Sequence, residues 1–109
     1  MIGKWIDALT DEQRDNIVTA QGWRYGGYLY EDGTRCLVGN ALDLRGRGVM
    51  AESHTWPGMR CVRVDYSAFE ISIERCFDHL CKRFGTDRIV RMCKVRAGAK
   101  VSAREEVAV

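Results

Sequence analysis

Three groups of side chains in this 109-residue chain have the types and spacing that could do chemistry. The first is Cys36 with the two histidines, His54 and His79. A thiol in the first turn of a helix is made more acidic by the helix dipole, and an imidazole can act as its base, so Cys36 is a candidate nucleophile. Leu37 and Val38 follow it, and glycines lie close by, which favours a tightly packed, inert thiol. His79 falls opposite the apolar stripe of its own helix and should face solvent. The second group joins Cys36 and His54 to Cys61, Cys76 and Cys81, enough ligand types for a four-coordinate zinc site. No C-x-x-C spacing occurs, and Cys76 and Cys81, five apart, lie about 140° apart around a helix, so they do not converge. An odd count of five cysteines argues for reduced thiols in a reducing compartment and against a disulfide framework. Neither a metal nor a cofactor is expected.

The third group is basic. The formal net charge of +2 hides an asymmetry: residues 1–81 hold nine basic and twelve acidic side chains, whereas residues 82–104 hold eight basic side chains and the single acid Asp87. Arg88, Arg91 and Lys94, at i, i+3 and i+6, stay within about 120° on a helix. Lys82 and Arg83 add charge just before them. Such a face attracts an anionic surface, either a phosphate backbone or an acidic protein. Its ordinary alternative is a solvated polar face. No Asn or Gln sits on it to read bases, although Arg can read guanine. Other chemistries are not signalled. The glycine pairs lack the Lys-Ser/Thr of a phosphate-binding loop, and no two carboxylates are spaced for glycoside hydrolysis.

The elements that must position these groups can be read from periodicity and caps. Ile2, Trp5, Ile6 and Leu9 have the spacing of a short amphipathic helix. Thr10 to Gln13 matches a capping box for a second helix, which runs to about Ala20 and is stopped by a left-handed Gly22. Residues 23–30, with Trp23, Tyr25, Tyr28 and Tyr30, read as a strand whose Gly26-Gly27 pair marks a bulge or close approach. Core packing is the ordinary role for these aromatics, but with Trp56 they would also suit a protein-binding surface. Asp32-Gly33 is a tight turn. After it, residues 35–44 are either a return strand or a helix capped by Thr34 with Leu37, Ala41 and Leu44 on one face; the helix is preferred. Residues 45–58 read as a long loop, and 59–66 as a strand with Val62, Val64 and Tyr66 on one face. Ser67 to Glu70 is a second capping box, opening a core-facing helix with the stripe Phe69, Ile73, Phe77, Leu80, Cys81 and Phe84. Gly85 ends it. Thr86 caps a last helix with Ile89, Val90, Cys93 and Ala97 inward, giving with its neighbour the outline of a helix-turn-helix.

Gly22-Trp23-x-x-Gly26, then Asp32-Gly33-x-x-Cys36-x-x-Gly39-x-Ala41-Leu42, and later Arg83-Phe84-Gly85, resemble a family of small proteins of actinobacteria and their phages. The family pattern is G-W-x-x-G followed by D-G-x-x-C-x-x-G-A-L, and here Asn40 separates Gly39 from Ala41. The resemblance covers residues 12–44 and, more loosely, 69–97. It implies a phage or mobile-element protein and carries no reaction or cofactor. By analogy, small phage proteins are often inhibitors of host machinery, anti-CRISPR proteins among them.

Together these features predict an α+β fold: one globular domain over 1–97 and a flexible tail over 98–109. A small antiparallel sheet of residues 23–30 and 59–66 would be covered by helices 68–84 and 87–97. The expected protein is cytoplasmic, since an acid at Asp7 falls too early for a secretory segment and no apolar run spans a membrane. It is expected to be non-enzymatic and to bind a host protein or nucleoprotein complex through Lys82, Arg83, Arg88, Arg91, Lys94 and Trp56. An anti-defence inhibitor is the sharpest version. The alternatives are a DNA- or RNA-binding regulator using the basic helix and, third, an enzyme built on Cys36.

Overall fold

The computed structural model describes residues 1–42, 48–63 and 67–108, with side chains except at Arg63 and beyond Ala99. Leu44, Arg45 to Arg47, Val64, Asp65, Tyr66 and Val109, on which parts of the sequence reading fall, lie outside the described residues. The order is α1 (Ile2–Ala8), α2 (Asp11–Thr19), α3 (Leu37–Ala41), β1 (Val49–Glu52), β2 (Arg60–Arg63), α4 (Ala68–Phe84) and α5 (Thr86–Ala108). The fold is α+β, with these five helices and one two-stranded antiparallel sheet among the described residues.

Both capping boxes form. Gln13 N donates to Thr10 Oγ1 at 3.2 Å while Thr10 N donates to Gln13 Oε1 at 3.0 Å. Ser67 and Glu70 repeat the exchange at the start of α4. Each box satisfies two backbone N–H groups that a helix start leaves orphaned. Arg14 extends this logic to the other end of α1, where its guanidinium donates to the carbonyls of Ile6, Asp7 and Leu9 and so ties α1 to α2. Gly22, however, is not left-handed; α2 ends on an extended Ala20.

The sheet differs from the expected one. Its strands are β1 and β2, paired from Val49 opposite Arg63 to Glu52 opposite Arg60, so part of the supposed 45–58 loop is a strand. Residues 23–30 form no strand. What remains of the expected pairing is one isolated bridge, Tyr30 to Cys61, with a second, parallel bridge from Trp23 to Arg35. The physical reason lies at Gly26, whose φ of 93° turns the chain out of the extended region. Residues 26–28 then fold against α3, and only Leu29 to Glu31 run beside β2, where Val62 N donates to the Leu29 carbonyl and Glu31 N to the Arg60 carbonyl. Asp32-Gly33 makes its tight turn, with Asp32 Oδ1 accepting from Thr34 N at 3.0 Å.

The preferred helix after the turn is present, but it is the five residues of α3 and its cap is Cys36, not Thr34. Thr34 is engaged by Asp32. Likewise Thr86 is the first residue of α5, not its cap. The last helix also continues to Ala108, past the frayed tail expected from residue 98. A lone Gly98 among Ala97, Ala99, Lys100, Ala103 and Arg104 is too weak a breaker to stop it, because a single glycine costs only about 1 kcal/mol against strong helix formers.

The core holds Trp5 and Ile6 of α1, Ile17 of α2, Leu37, Val38 and Ala41 of α3, Ile73, Phe77 and Cys81 of α4, and Ile89, Cys93 and Ala97 of α5. The predicted inner face of α5 is therefore the real one. The α4 stripe is shorter than predicted: Phe69 and Phe84, at its two ends, are 57% and 44% exposed. Four helices converge on α5, directly or through a neighbour: α5 packs against α1, α2 and α4, and α3 bridges α2 and α4.

Gly39 is the tightest point of the fold. A Cβ placed there would stand 1.8 Å from the carbonyl oxygen of Tyr28. The obstacle is backbone, so no side-chain rotation relieves it. Gly39→Ala should destabilise the protein by about 3 kcal/mol or more, through displacement of the Tyr28 carbonyl or of α3. Gly58→Ala, at a left-handed glycine with open space around it, should cost only about 1–2 kcal/mol. Urea unfolding of the two variants checks the contrast; equal losses would contradict it.

Candidate interaction surface

The predicted basic cluster is divided by the fold into parts that face different ways. Lys94 Nζ donates to the carbonyl of Ala20 at 2.6 Å, which caps the C-terminal end of α2 with a cation, the charge that end favours. It is part-buried and structural. Lys82 turns the other way, its ammonium 5.7 Å from the centre of the Tyr25 ring. Trp56 belongs to that same side. Its indole N–H donates to the Tyr25 carbonyl at 2.8 Å, its ring centre lies 5.1 Å from that of Tyr25, and the Arg24 guanidinium sits 4.9 Å above it. Trp56 is half-buried in a ladder of its own chain.

Arg83, Arg88 and Arg91 remain as an exposed set at the α4–α5 corner and along α5. Arg83 and Arg88 lie on either side of the hinge residue Gly85, with guanidinium carbons 5.4 and 5.6 Å from the Phe84 ring centre. The ring orients both cations. Among the described residues none of the three has an acidic partner. Arg96 is different: it makes two hydrogen bonds to Asp7, at 2.9 and 2.6 Å, which pin α5 to α1. Between the arginines, the outward face of α5 is apolar. Met92 is 61% and Val95 67% exposed. Beside them an open groove of about 460 Å³ runs between α1 and α5, lined by Ile2 and Ile6, by Leu80 of α4, and by Ile89, Met92 and Cys93. Arg91 and Arg96 also line it. Sequence reasoning found the arginines and missed the groove, because Ile2 and Ile6 read only as core.

A second cleft, of about 450 Å³, is polar and lies between the end of α2 and the Gly22 and Gly33 turns. Its two asparagines are already committed. Asn16 donates to the Ala41 carbonyl, and Asn40 donates to those of Gly22 and Arg35. They close the fold there.

Cys36 is fully buried. Its sulfur accepts from Gly39 N, and burial, aided by the nearby negative charge of Glu74, pushes its pKa well up from the usual thiol value. Desolvation outweighs the short α3 helix, opposite to the acidifying effect considered from sequence. His54 is exposed, as is His79. No three His, Cys, Asp or Glu side chains among the described residues are grouped to hold a metal. No helix of the described residues is long and apolar enough to cross a membrane.

One polar cluster escaped the sequence reading entirely. Glu74 and Asp78, one turn apart on α4, both face the aromatic segment. Asp78 Oδ1 accepts from Gly26 N at 2.8 Å. Tyr28 lies beside Glu74 and favours its charged form. Burial, reinforced by Asp78, pushes the Glu74 pKa up to about 7, with Tyr28 and Arg75 opposing. The only sequence signal was the i, i+4 spacing of two acids on the flank of an apolar stripe, which is also how solvated acids are spaced.

Comparison with protein-family models, curated proteins and solved structures gives no match.

Two predictions follow from the buried groups. Thiol labelling of the native protein at neutral pH should modify half-buried Cys76 first and spare Cys36, Cys81 and Cys93, which are buried and whose pKa values burial raises; peptide mass mapping reads the order, and early modification of Cys36 would contradict it. Glu74 binds its proton more tightly folded, at about 7, than at its usual 4.5, so the folded state gains protons relative to the unfolded one in that window. Its contribution to stability is complete below about pH 4.5 and is lost as pH rises through 7. Asp78, also raised by burial, acts in the same direction. Glu74→Gln, which keeps the side chain's shape and removes its charge, should flatten this dependence and raise stability at pH 8 by about 1–2 kcal/mol. Denaturant midpoints from pH 5 to 8 test it.

Proposed function

We propose that this chain is a non-enzymatic binding protein that engages an acidic surface of a protein partner through the outward face of α5. One observation carries the reading: Arg83, Arg88 and Arg91, without acidic partners among the described residues, stand beside exposed Met92 and Val95 and an apolar groove. An apolar centre with arginines around it is the composition of a protein interface, where buried apolar contacts give affinity and charges give encounter rate and register. Taken with the resemblance to proteins of actinobacteria and their phages, the partner is a component of host macromolecular machinery, and an anti-defence inhibitor of the anti-CRISPR kind is the most specific form. On this reading Cys36 is a packing residue and the protein acts in the host cytoplasm.

A nucleic-acid-binding regulator is the second reading, favoured by the excess of basic residues over 82–104. The exposed methionine and valine at the centre of the face weigh against it, since phosphates have nothing to gain there.

Arg88→Glu with Arg91→Glu should weaken partner binding at least tenfold while the melting temperature stays within a few degrees, because both side chains are exposed; Lys94 is left intact because it holds α2. Tagged protein exposed to host extract, with and without nuclease, identifies the partner class. Retention that survives nuclease and is lost in the double variant supports the protein reading. A log K against log salt slope that steepens by about 0.9 for each phosphate contact supports nucleic acid. Binding unchanged by the double reversal would remove α5 from the interface.

A further inference from the structure

The groove between α1 and α5 has the form of a seat for one more helix. Two neighbouring helices, with Leu80 of α4 between them, leave a trough. A third helix packs into such a trough at an axis separation of about 8–10 Å, with its side chains between theirs. The α5 wall from Ile89 to Arg96 is about 10 Å long, two helical turns, which matches the i, i+3/i+4 and i+7 anchors of a docked amphipathic helix. Ile89 and Cys93 are already buried at 5% and 4% exposure, so they form a settled floor, while Met92 and Val95 are left as uncovered shoulders. Methionine is the side chain best able to remould itself around an incoming apolar group.

Charge chooses the occupant. Arg96 is paired with Asp7, but Arg91 in the lining and Arg88 and Arg83 beyond it have no acidic partner among the described residues. A second copy presenting the same face would set guanidinium against guanidinium, which like-charge repulsion opposes. A helix with acidic residues flanking its apolar stripe would complete both the apolar and the ionic contacts. We infer that the α1–α5 groove binds an amphipathic helix of the partner, apolar along one stripe and acidic beside it. This inference rests on the reading of α5 as a protein-binding face.

The probe is a synthetic helix of roughly 18 residues, about 27 Å long, with leucines at helical anchor spacing and glutamates on both flanks, and its twin with lysine at every glutamate. Fluorescence anisotropy measures each against the full chain and against Met92→Glu, Val95→Glu and Arg91→Glu. The glutamate helix should bind, the lysine twin at least tenfold more weakly, and each substitution should cost at least tenfold. All three side chains are exposed, and thermal melting of each variant identifies any that fails to fold; the others then decide. Hydrogen exchange should slow in Ile2–Ile6 and Ile89–Arg96 when the helix is bound. No binding, equal binding of the twin, or binding that survives Met92→Glu and Val95→Glu overturns the inference. So does a dimer of the free protein that Met92→Glu dissociates, which would assign the groove to a second copy, or displacement of the helix by duplex DNA. If charge reversal of Arg88 and Arg91 abolishes partner capture but the helix does not bind, the α5 face stands and its helical occupant falls. If the helix binds but partner capture ignores the charge reversal, the groove stands and the functional reading falls.

Discussion

A buried stretch of irregular backbone must find hydrogen-bond acceptors and donors outside itself, and residues 22–36 are governed by that requirement. A sheet would satisfy them by pairing. Here α4 helps to do it with side chains. Asp78 takes the N–H of Gly26, and Glu74 lies one turn away beside Tyr28. The Gly27 carbonyl accepts from Cys36 N, and the Tyr28 carbonyl is pressed against Gly39. The segment is thereby fixed between α4 and α3, and with it the aromatic ladder of Tyr25 and Trp56. The cost is two acids with impaired ionisation at a place where the fold has no strand to offer instead.

Local signals in the sequence located several helix starts and the tight turn, although Gly22, Thr34 and Thr86 do not act as caps. The capping boxes at Thr10 and Ser67, the turn at Asp32-Gly33, and the inner face Ile89, Cys93 and Ala97 all involve residues within a few positions of each other. The segment 23–30 looked like a strand because large aromatics favour extended, half-buried backbone. Whether such a backbone pairs is decided by what lies across from it, and at Gly26 that is a helix some fifty residues away, so that only the end of the segment meets β2. β1 was illegible for the complementary reason. Val49 is 70% exposed and Met50 37%, so no buried alternation marks the strand. The basic cluster was legible as charge and illegible as geometry. Helical spacing put Arg88, Arg91 and Lys94 on one arc, but only the position of α2 reveals that Lys94 at the end of that arc meets a carbonyl and leaves the surface.

The same helix therefore serves several ends around its circumference: an apolar arc in the core, a flank on one side that caps α2 through Lys94, a flank on the other that pins α1 through Arg96, and an outward arc of arginine, methionine and valine. These roles are separable because they lie on different arcs. The proposed binding face can vary in sequence without touching the core, and this is the arrangement by which a small domain can change partners while keeping its fold.

The Lys94–Ala20 hydrogen bond spans seventy-four positions of sequence. Together with the packing of α1 and α2 on α5, it means that these two helices have their principal support in a helix made after them. Helices of seven and nine residues are too short to persist alone in water. As the chain emerges from the ribosome, α1 and α2 must remain largely unfolded, with Trp5, Ile6 and Ile17 uncovered, until α5 arrives. Folding is then governed by closure of the loop of seventy-four positions between Ala20 and Lys94, a slow search that local helix formation cannot shorten. In that interval the N-terminal apolar residues are open to chaperones and to one another, so the yield of folded protein depends on how quickly α5 follows.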